Sequence, residues 1–440
     1  MRRPQRLARA LLAAVAMAGV LSACAPARRQ ATDRQAIQFW TLDLAPKFNG
    51  YLNDVIARWE QQNPGYDVVW TDVPWGSVER KLLAAVFART APDVVNLNLL
   101  FAANLASKGG LQPLEPLLPE GAATTYLPRI WHAGQSAAPD GQPQQFAIPW
   151  YLTARITLAN TQILSEAGYS APPRTWAEVP AYAEAVKRRT GRYALFVTVV
   201  PEDSAELLES LVQMGVTLLD GRQRAAFNTP AGRRAFAFWS DLYRRGLLPR
   251  EVVSQGYRRA IELYQSGELA QVGSGAEFLR SIQTNAPQVA AATRPYPPLT
   301  GANGAANVAV MTLAIPRQSK VAEPATRFAL FLTDASNQAR FAEQARVLPS
   351  SVGALQQVEA ALEAEQPASQ PEQLVRQARL LSAQTLSSAR VLVPASPGVK
   401  RLQAIVYTQL QRAMLGQVSS DAALAEAERQ WNAYAAGRWP

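Results

Sequence analysis

An α/β fold with room for two domains is predicted for this chain by three observations. Strand-like and helix-like segments alternate from residue 36 to residue 97, the later helices carry recognisable caps, and the chain is long enough for two cores. Ala36-Ile37-Gln38-Phe39-Trp40-Thr41 reads as a strand from its apolar and aromatic content. The helix after it sets Leu52, Ile56 and Trp59 on one face and stops at Asn63-Pro64-Gly65. A second strand covers 66–73, and Ser77 is placed to cap a helix whose Val78, Leu82 and Val86 share a face. Pro92-Asp93-Val94-Val95-Asn96-Leu97 supplies a third strand. Strand–helix–strand spacing of this kind predicts a parallel sheet with right-handed crossovers.

Beyond the middle of the chain the helices announce their own ends. Thr175 and Glu178 form a capping-box pattern ahead of Trp176, Val179 and Val186. Thr229-Pro230 opens a helix carrying Phe236, Trp239 and Tyr243 that ends at Gly246. Residues 316–332 read as a strand exit followed by an amphipathic helix with Val321, Phe328 and Phe331. The segment 359–377 is polar enough for an exposed helix or loop, and 398–439 is helical with Leu402, Ile405, Leu410 and Met414 on one face. Trp40, Trp59, Trp176 and Trp239 lie on apolar faces or in first turns and are read as structural.

The start of the chain has a different job. Arg2, Arg3, Arg6 and Arg9 precede an apolar run over 10–21, and Leu21-Ser22-Ala23-Cys24 follows. A charged region, a short apolar region and small residues before the cut make an export signal. The run is too short for a bilayer of roughly 30 Å, which takes about 20 residues. Because the sole cysteine sits at the cut, and the peptide resembles the bacterial lipobox, lipidation of Cys24 is expected. Residues 24–35 are then a tether, and the protein works in the periplasm or its extracytoplasmic equivalent, held to the membrane by that lipid.

Composition excludes several functions. Removing 1–23 leaves 417 residues with no cysteine beyond Cys24, so no internal disulfide is expected. One histidine, His132, and no second thiol argue against a Zn, Cu or Fe–S site and no cofactor is expected; a surface or capping role suits His132. The formal charge of +10 falls to +6 without the four leader arginines. The remaining charges are scattered, with no basic stripe interleaved with aromatics, so nucleic acid is not an expected partner.

Nine segments in order carry a family resemblance. Early ones are Ile37-Gln38-Phe39-Trp40-Thr41, Trp59-Glu60-Gln61-Gln62-Asn63-Pro64-Gly65, and Ala91-Pro92-Asp93-Val94-Val95. Others are Leu105-Ala106-Ser107-Lys108-Gly109-Gly110-Leu111-Gln112-Pro113-Leu114, Ile148-Pro149-Trp150-Tyr151, and Pro172-Pro173-Arg174-Thr175-Trp176-Ala177-Glu178. The last are Phe238-Trp239-Ser240-Asp241-Leu242-Tyr243, Tyr264-Gln265-Ser266-Gly267-Glu268, and Arg327-Phe328-Ala329-Leu330-Phe331-Leu332-Thr333. In these the chain resembles the extracellular carbohydrate-binding proteins of ABC transporters, the group that includes the maltose-binding proteins. The resemblance implies a two-lobed periplasmic-binding-protein fold, with lobes of about 36–147 plus 307–350 and 150–305 plus 353–440. It also implies a multi-strand hinge near 149–153, 302–308 and 346–351, a sugar in the cleft, and an ABC permease as partner of a monomer.

Open α/β sheets bind ligands beyond the carboxyl ends of their strands, which points to 42–48, 74–77 and 98–101. Sugars present C–H faces and hydroxyls. Stacking contributes roughly 0.5–1.5 kcal/mol per ring by analogy with aromatic pairs, and hydrogen bonds to charged groups about 1.5–3 kcal/mol each. Trp75 after the second strand is a candidate platform, and Asn96 and Asn98 after the third are candidate polar contacts. The resemblance adds Asp43 and Lys47 on hydroxyls, Trp150 and Tyr151 for stacking, and Asn307 at the cleft edge. A solvated loop explains Asp43 and Lys47 equally, and an ion pair explains Arg155, a weaker candidate. Where maltose-type members often carry a tryptophan, this chain has Glu277-Phe278, which favours a small, compact sugar or glycoside over long malto-oligosaccharides. The competing expectations are a glycerol phosphodiester held by Lys47 and Arg155, and an exported carbohydrate-active enzyme using Asp43 and Glu277.

Overall fold

The computed structural model describes residues 34–137, 143–201, 203–393 and 398–437, so the signal segment and Cys24 lie outside the described residues. In chain order the strands are β1 (Gln35–Leu42), β2 (Tyr66–Val73), β3 (Val94–Asn98), β4 (Gln135–Ala137), β5 (Pro143–Gln145) and β6 (Ala147–Ala154). There follow β7 (Ile156–Asn160), β8 (Gln271–Ser274), β9 (Thr293–Tyr296), β10 (Ala306–Ala314), β11 (Leu348–Pro349) and β12 (Ala389–Arg390).

A seven-stranded sheet has the order β11-β6-β10-β3-β1-β2, with β12 beside β10. β1 is parallel to both β2 and β3, setting Ile37 beside Val68 and Phe39 beside Val94, as the strand–helix spacing predicts. β10 returns antiparallel between β3 and β6 and carries a register shift at Met311–Thr312. A second sheet has the order β8-β7-β9, all antiparallel.

Each sheet has its own core. On the first, Leu52, Ile56 and Trp59 of helix Asn49–Gln62 are buried, and Trp59 and Phe39 pack edge-on against Phe328 at 5.2 and 5.3 Å between centroids. On the second, Trp176 and Trp239 meet at 5.4 Å among Leu402, Ile405, Leu410 and Met414. The capping box at Thr175 and Glu178 is present, and the Thr229 side chain accepts from Gly232 N. One local expectation changes. The Ser77 hydroxyl donates back to Pro74 O at 3.1 Å instead of capping its helix, because a short turn, Trp75–Ser77, precedes that helix. The segment 359–377 is, as one of its two expected forms, mostly exposed helix, shared between helices Val352–Ala364 and Gln370–Thr385, with Leu362 and Leu374 buried. Helix Val352–Ala364 shares a small cluster with Ala342 and Leu380.

The lobes connect where strands change sheets. β6 ends at Ala154 and β7 begins at Ile156, so Arg155 is the single residue between the two sheets, just past the expected 149–153. Apolar packing of Leu152, Ala154, Val308, Leu348 and Ala383 stiffens this region. Ser350 Oγ donates to Pro149 O at 2.7 Å and ties the residue after β11 to β6.

Candidate functional site

The first lobe presents the loops beyond β1 and β2. Asp72 at the end of β2 accepts from Thr41 Oγ1 at 2.6 Å and from the backbone of Leu44 and Ala45 at 3.1 and 3.0 Å, which fixes the path of the loop after β1. Asp43 adopts a left-handed backbone (φ 49°), and its carboxylate accepts from Trp75 N at 2.7 Å. Asp43 thereby positions the turn carrying Trp75, whose side chain lies open, the residue being 45% exposed. Lys47 lies over the Phe48 ring at 5.2 Å.

The second lobe presents a charged cluster around Arg155. Its Nη1 donates to Glu209 at 2.7 Å and its Nη2 to Ser204 Oγ at 3.1 Å, and its guanidinium stands 5.8 Å from the Tyr257 ring centre. Tyr257 packs edge-on against Phe278 at 6.0 Å and donates its hydroxyl to Gly273 O at 2.9 Å. Glu206 and Glu277 are half-buried beside this group. Burial pushes the Glu206 carboxyl up to about 7, against the pull of Arg155 and with the help of Glu209 and Asp203. Burial likewise raises Glu277 to about 7, opposed by its own backbone N–H and by the charges of Arg155 and Lys47. Lys47, on the loop after β1, thus lies within reach of the Glu277 carboxyl's field. Burial also raises Glu209, while Arg155, opposed by burial, is held charged by Glu209 and Glu206.

Behind Arg155 lies a cavity of about 50 Å³ lined by Glu206, Glu209, Gln213, Gln271 and Asn307. One water needs roughly 10–15 Å³ of such space, so this cavity suits a few waters or a small polar substituent, not a sugar ring.

Several expected contacts are placed elsewhere. Trp150 is fully buried, stacks on Phe341 at 5.1 Å and 19°, and belongs to the first core because β6 points it inward. Asn96 is buried and donates to Thr312 O at 3.0 Å, joining β3 to β10. Asn98 accepts from Phe101 N at 2.8 Å as a helix cap. Asn307 accepts from Leu392 N at 3.1 Å, and Arg155 is spent on its ion pair. Tyr151 is buried against Trp150 and Phe341; burial and then Asp72 push its hydroxyl pKa above the ordinary tyrosine value. His132 is exposed, its Nδ1 2.6 Å from Pro128 O of the same helix. What the structure does gather is Asp43 with Trp75, and Arg155 with Tyr257 and through it Phe278, with Glu277 in the field of Arg155 and Lys47. Sequence reasoning missed Glu206 and Tyr257. Glu206 opens helix Glu206–Gln213, where an acid normally serves the helix dipole in water, and only the packing of Arg155 marks it out.

Two α/β lobes, each with its own sheet and core and joined at Arg155, with aromatic and carboxyl side chains on the loops beside them, are the architecture of solute-binding proteins. Residues 45–339 match the bacterial extracellular solute-binding protein family, and the chain belongs to that family. It is 68% identical to a Synechococcus sp. MITs9220 periplasmic-binding protein, for which an oligosaccharide ligand has been suggested, with a TM-score of 0.87 over 92% of this chain and 100% of that one. That protein has also been crystallised in complex with zinc. Among the described residues of this chain, no group of three or more His, Cys, Asp or Glu side chains could hold a metal ion. The fold is shared with the sugar-binding protein MalE of Xanthomonas citri (TM-score 0.73, 24% identity, 92% and 98% of the two chains). It is also shared with the GacH receptor of Streptomyces glaucescens, crystallised unliganded and with acarbose (TM-score 0.73, 20% identity, 92% and 100%).

Proposed function

We propose that this chain is an extracytoplasmic receptor that captures a small oligosaccharide or glycoside in the cleft and delivers it to an ABC importer. The observation that carries this reading is an open tryptophan, Trp75, on the loops beyond the first sheet, together with half-buried carboxyl groups, Glu206 and Glu277, around Arg155 beside the second sheet. A sugar's C–H face suits the ring and its hydroxyls suit the carboxyl groups. The oligosaccharide assignment of the Synechococcus relative and the sugar ligands of the fold neighbours support the same class. The lobes are proposed as 36–147 plus 307–350 and 150–305 plus 353–440, in a monomer tethered through lipid on Cys24. Capture without turnover is proposed, so sugar incubated with the protein should be returned unchanged.

Thermal unfolding of residues 25–440 against mono-, di- and oligosaccharides tests the reading. Ligand at about 100 times Kd stabilises by roughly 2.7 kcal/mol, a rise in Tm of several degrees. A panel without a shift, or a sugar consumed during the measurement, overturns it.

A further inference from the structure

We propose that the end of the first lobe remote from Trp75 is a membrane-docking surface, where exposed Phe87 and the unpaired cations around it meet anionic lipid headgroups. This rests on the reading of Cys24 as a lipid anchor and adds to it a second, orienting contact.

β1, β2 and β3 are parallel, so their first residues share one end of the sheet, and the loops carrying Asp43, Lys47 and Trp75 leave β1 and β2 at the other. The eight residues of β1 set the two ends about 26 Å apart. Helix Val78–Phe87 runs back between β2 and β3 and finishes at the first end. Its Val78, Leu82 and Ala85 are buried, whereas Phe87 at its last position is 86% exposed and joins no core cluster among the described residues. A lone exposed apolar residue is ordinary; the surroundings of this one are not.

Arg89 follows on a left-handed turn (φ 57°). β10 ends beside the start of β3, and the chain after it lies against the same helix end, where Gln318 Nε2 donates to Val86 O at 2.8 Å. Arg317 and Lys320 flank that contact, and the Arg317 backbone N–H donates to Gly110 O at 2.8 Å, which brings Lys108 alongside. Arg89, Lys108, Arg317 and Lys320 are exposed, and none has an ion pair or a side-chain hydrogen bond among the described residues. Neighbouring acids are occupied: Asp93 accepts from Gln38 N at 2.9 Å and from Ser319 Oγ at 2.6 Å, and Glu323 pairs with Arg327 at 3.1 Å. Asp67 lies apart, on the edge strand β2. A ring free to leave water beside cations without partners fits a bilayer surface. The ring enters the boundary between headgroups and acyl chains, and the cations stay with the phosphates.

The approach of the chain puts lipid at this same end. The described residues begin at Arg34, a further exposed cation, which leads straight into β1. The ten steps from Cys24 to Arg34 reach at most about 36 Å, and Arg28 and Arg29 lie among them. Lipid on Cys24 therefore keeps this end close to the bilayer, where a weak patch suffices because its effective concentration is high. Docked in this way, the lobe holds Trp75 on the side away from the lipid.

Co-sedimentation of residues 25–440 with vesicles of equal parts phosphatidylglycerol and phosphatidylcholine tests this. Binding should occur at low salt, be absent on phosphatidylcholine alone, and fade near 1 M salt, where screening acts within about 3 Å. Phe87→Ala should lower partitioning about fivefold, and Arg317→Ser with Lys320→Ser about 25-fold, at about fivefold per charge. Arg188→Ser with Arg222→Ser, which removes two exposed cations from the second lobe, should leave partitioning within about twofold. Residues 25–440 hold no cysteine, so a dye on Phe87→Cys is unique, and it should shift to the blue on the anionic vesicles. Absence of binding overturns the proposal, as does a dye that stays in water. Equal losses from the two double variants also overturn it, because the attraction would then be one of net charge. Mass spectrometry of the full chain made in a bacterium reads the lipid on Cys24 independently. An unacylated Cys24 removes the anchored reading and this inference with it, whereas an acylated chain whose residues 25–440 ignore the vesicles loses the patch alone.

Discussion

Lys400 of helix Val399–Met414 donates Nζ to Glu79 of helix Val78–Phe87, an ion pair between residues 321 apart in sequence that joins the second lobe to the first. Val78 packs in the first core and Val399 in the second, so the pair links the two cores. Nearby, the partly buried Leu100 of the first lobe packs against the second core.

Such a pair should bias closure slightly. Its side chains are 60% and 37% exposed, and exposed ion pairs contribute about 0–1 kcal/mol. Lys400→Ala should therefore weaken ligand binding by no more than about fivefold, with the deficit vanishing near 1 M salt, where screening acts within about 3 Å. Titrations of both proteins at low and high salt check this. A loss of a hundredfold would give the pair a role in ligand contact.

Trp75 and Trp150 should separate binding from stability. Trp150 is fully buried, and its removal to alanine should cost about 3–5 kcal/mol of stability. Trp75→Ala should change stability by no more than about 0.5 kcal/mol, as exposed substitutions do, while lowering sugar affinity tenfold or more. Denaturant unfolding and titration of each variant read the two effects apart.

These two tryptophans also show what the sequence makes legible. Periodicity places Leu52, Ile56 and Trp59 in the core, and strand–helix spacing gives the parallel order of β1, β2 and β3, because both are local properties of the chain. The direction in which Trp150 points is not local: it depends on β6 lying between β10 and β11, with Phe341 arriving from a helix nearly 200 residues away. Glu206 is hidden for the same reason, since its meaning comes from Arg155, 51 positions earlier. Glu277 was visible because it stands in a segment where a resembling family often has an aromatic residue.

Acidity should stabilise the unliganded protein through Glu206 and Glu277. Both carboxyls are raised to about 7, above an unfolded value of about 4.3, so the folded state holds more protons between those limits. Their favourable contribution is complete below the unfolded value and lost as pH rises through about 7. Between pH 5 and pH 8 the Tm should fall, and Glu206→Gln with Glu277→Gln should flatten that fall. Glu426, lowered to about 2 by hydrogen bonds from Arg429 and Gln430, works the opposite way and only in strong acid. A wild-type Tm rising from pH 5 to pH 8 would sink the assignment.

Arg155 decides between a ligand contact and a structural pin. It is the only residue between β6 and β7, and its side chain and that of Glu209 are 29% and 11% exposed. Removing one member of a buried pair costs about 3–5 kcal/mol because the other charge is stranded, whereas replacing both with apolar side chains of similar volume is often neutral. Arg155→Met should accordingly destabilise by an amount toward the lower end of that range, since the pair keeps some access to water. The double variant Arg155→Met, Glu209→Met should regain most of the loss. If Arg155 serves only to hold the second-lobe wall, the double variant also keeps sugar affinity within a few-fold of wild type. A double variant that is stable yet blind to sugar would instead make the guanidinium a direct ligand contact. The measurement is chemical unfolding of the four proteins of the cycle, followed by sugar titration of those that remain folded.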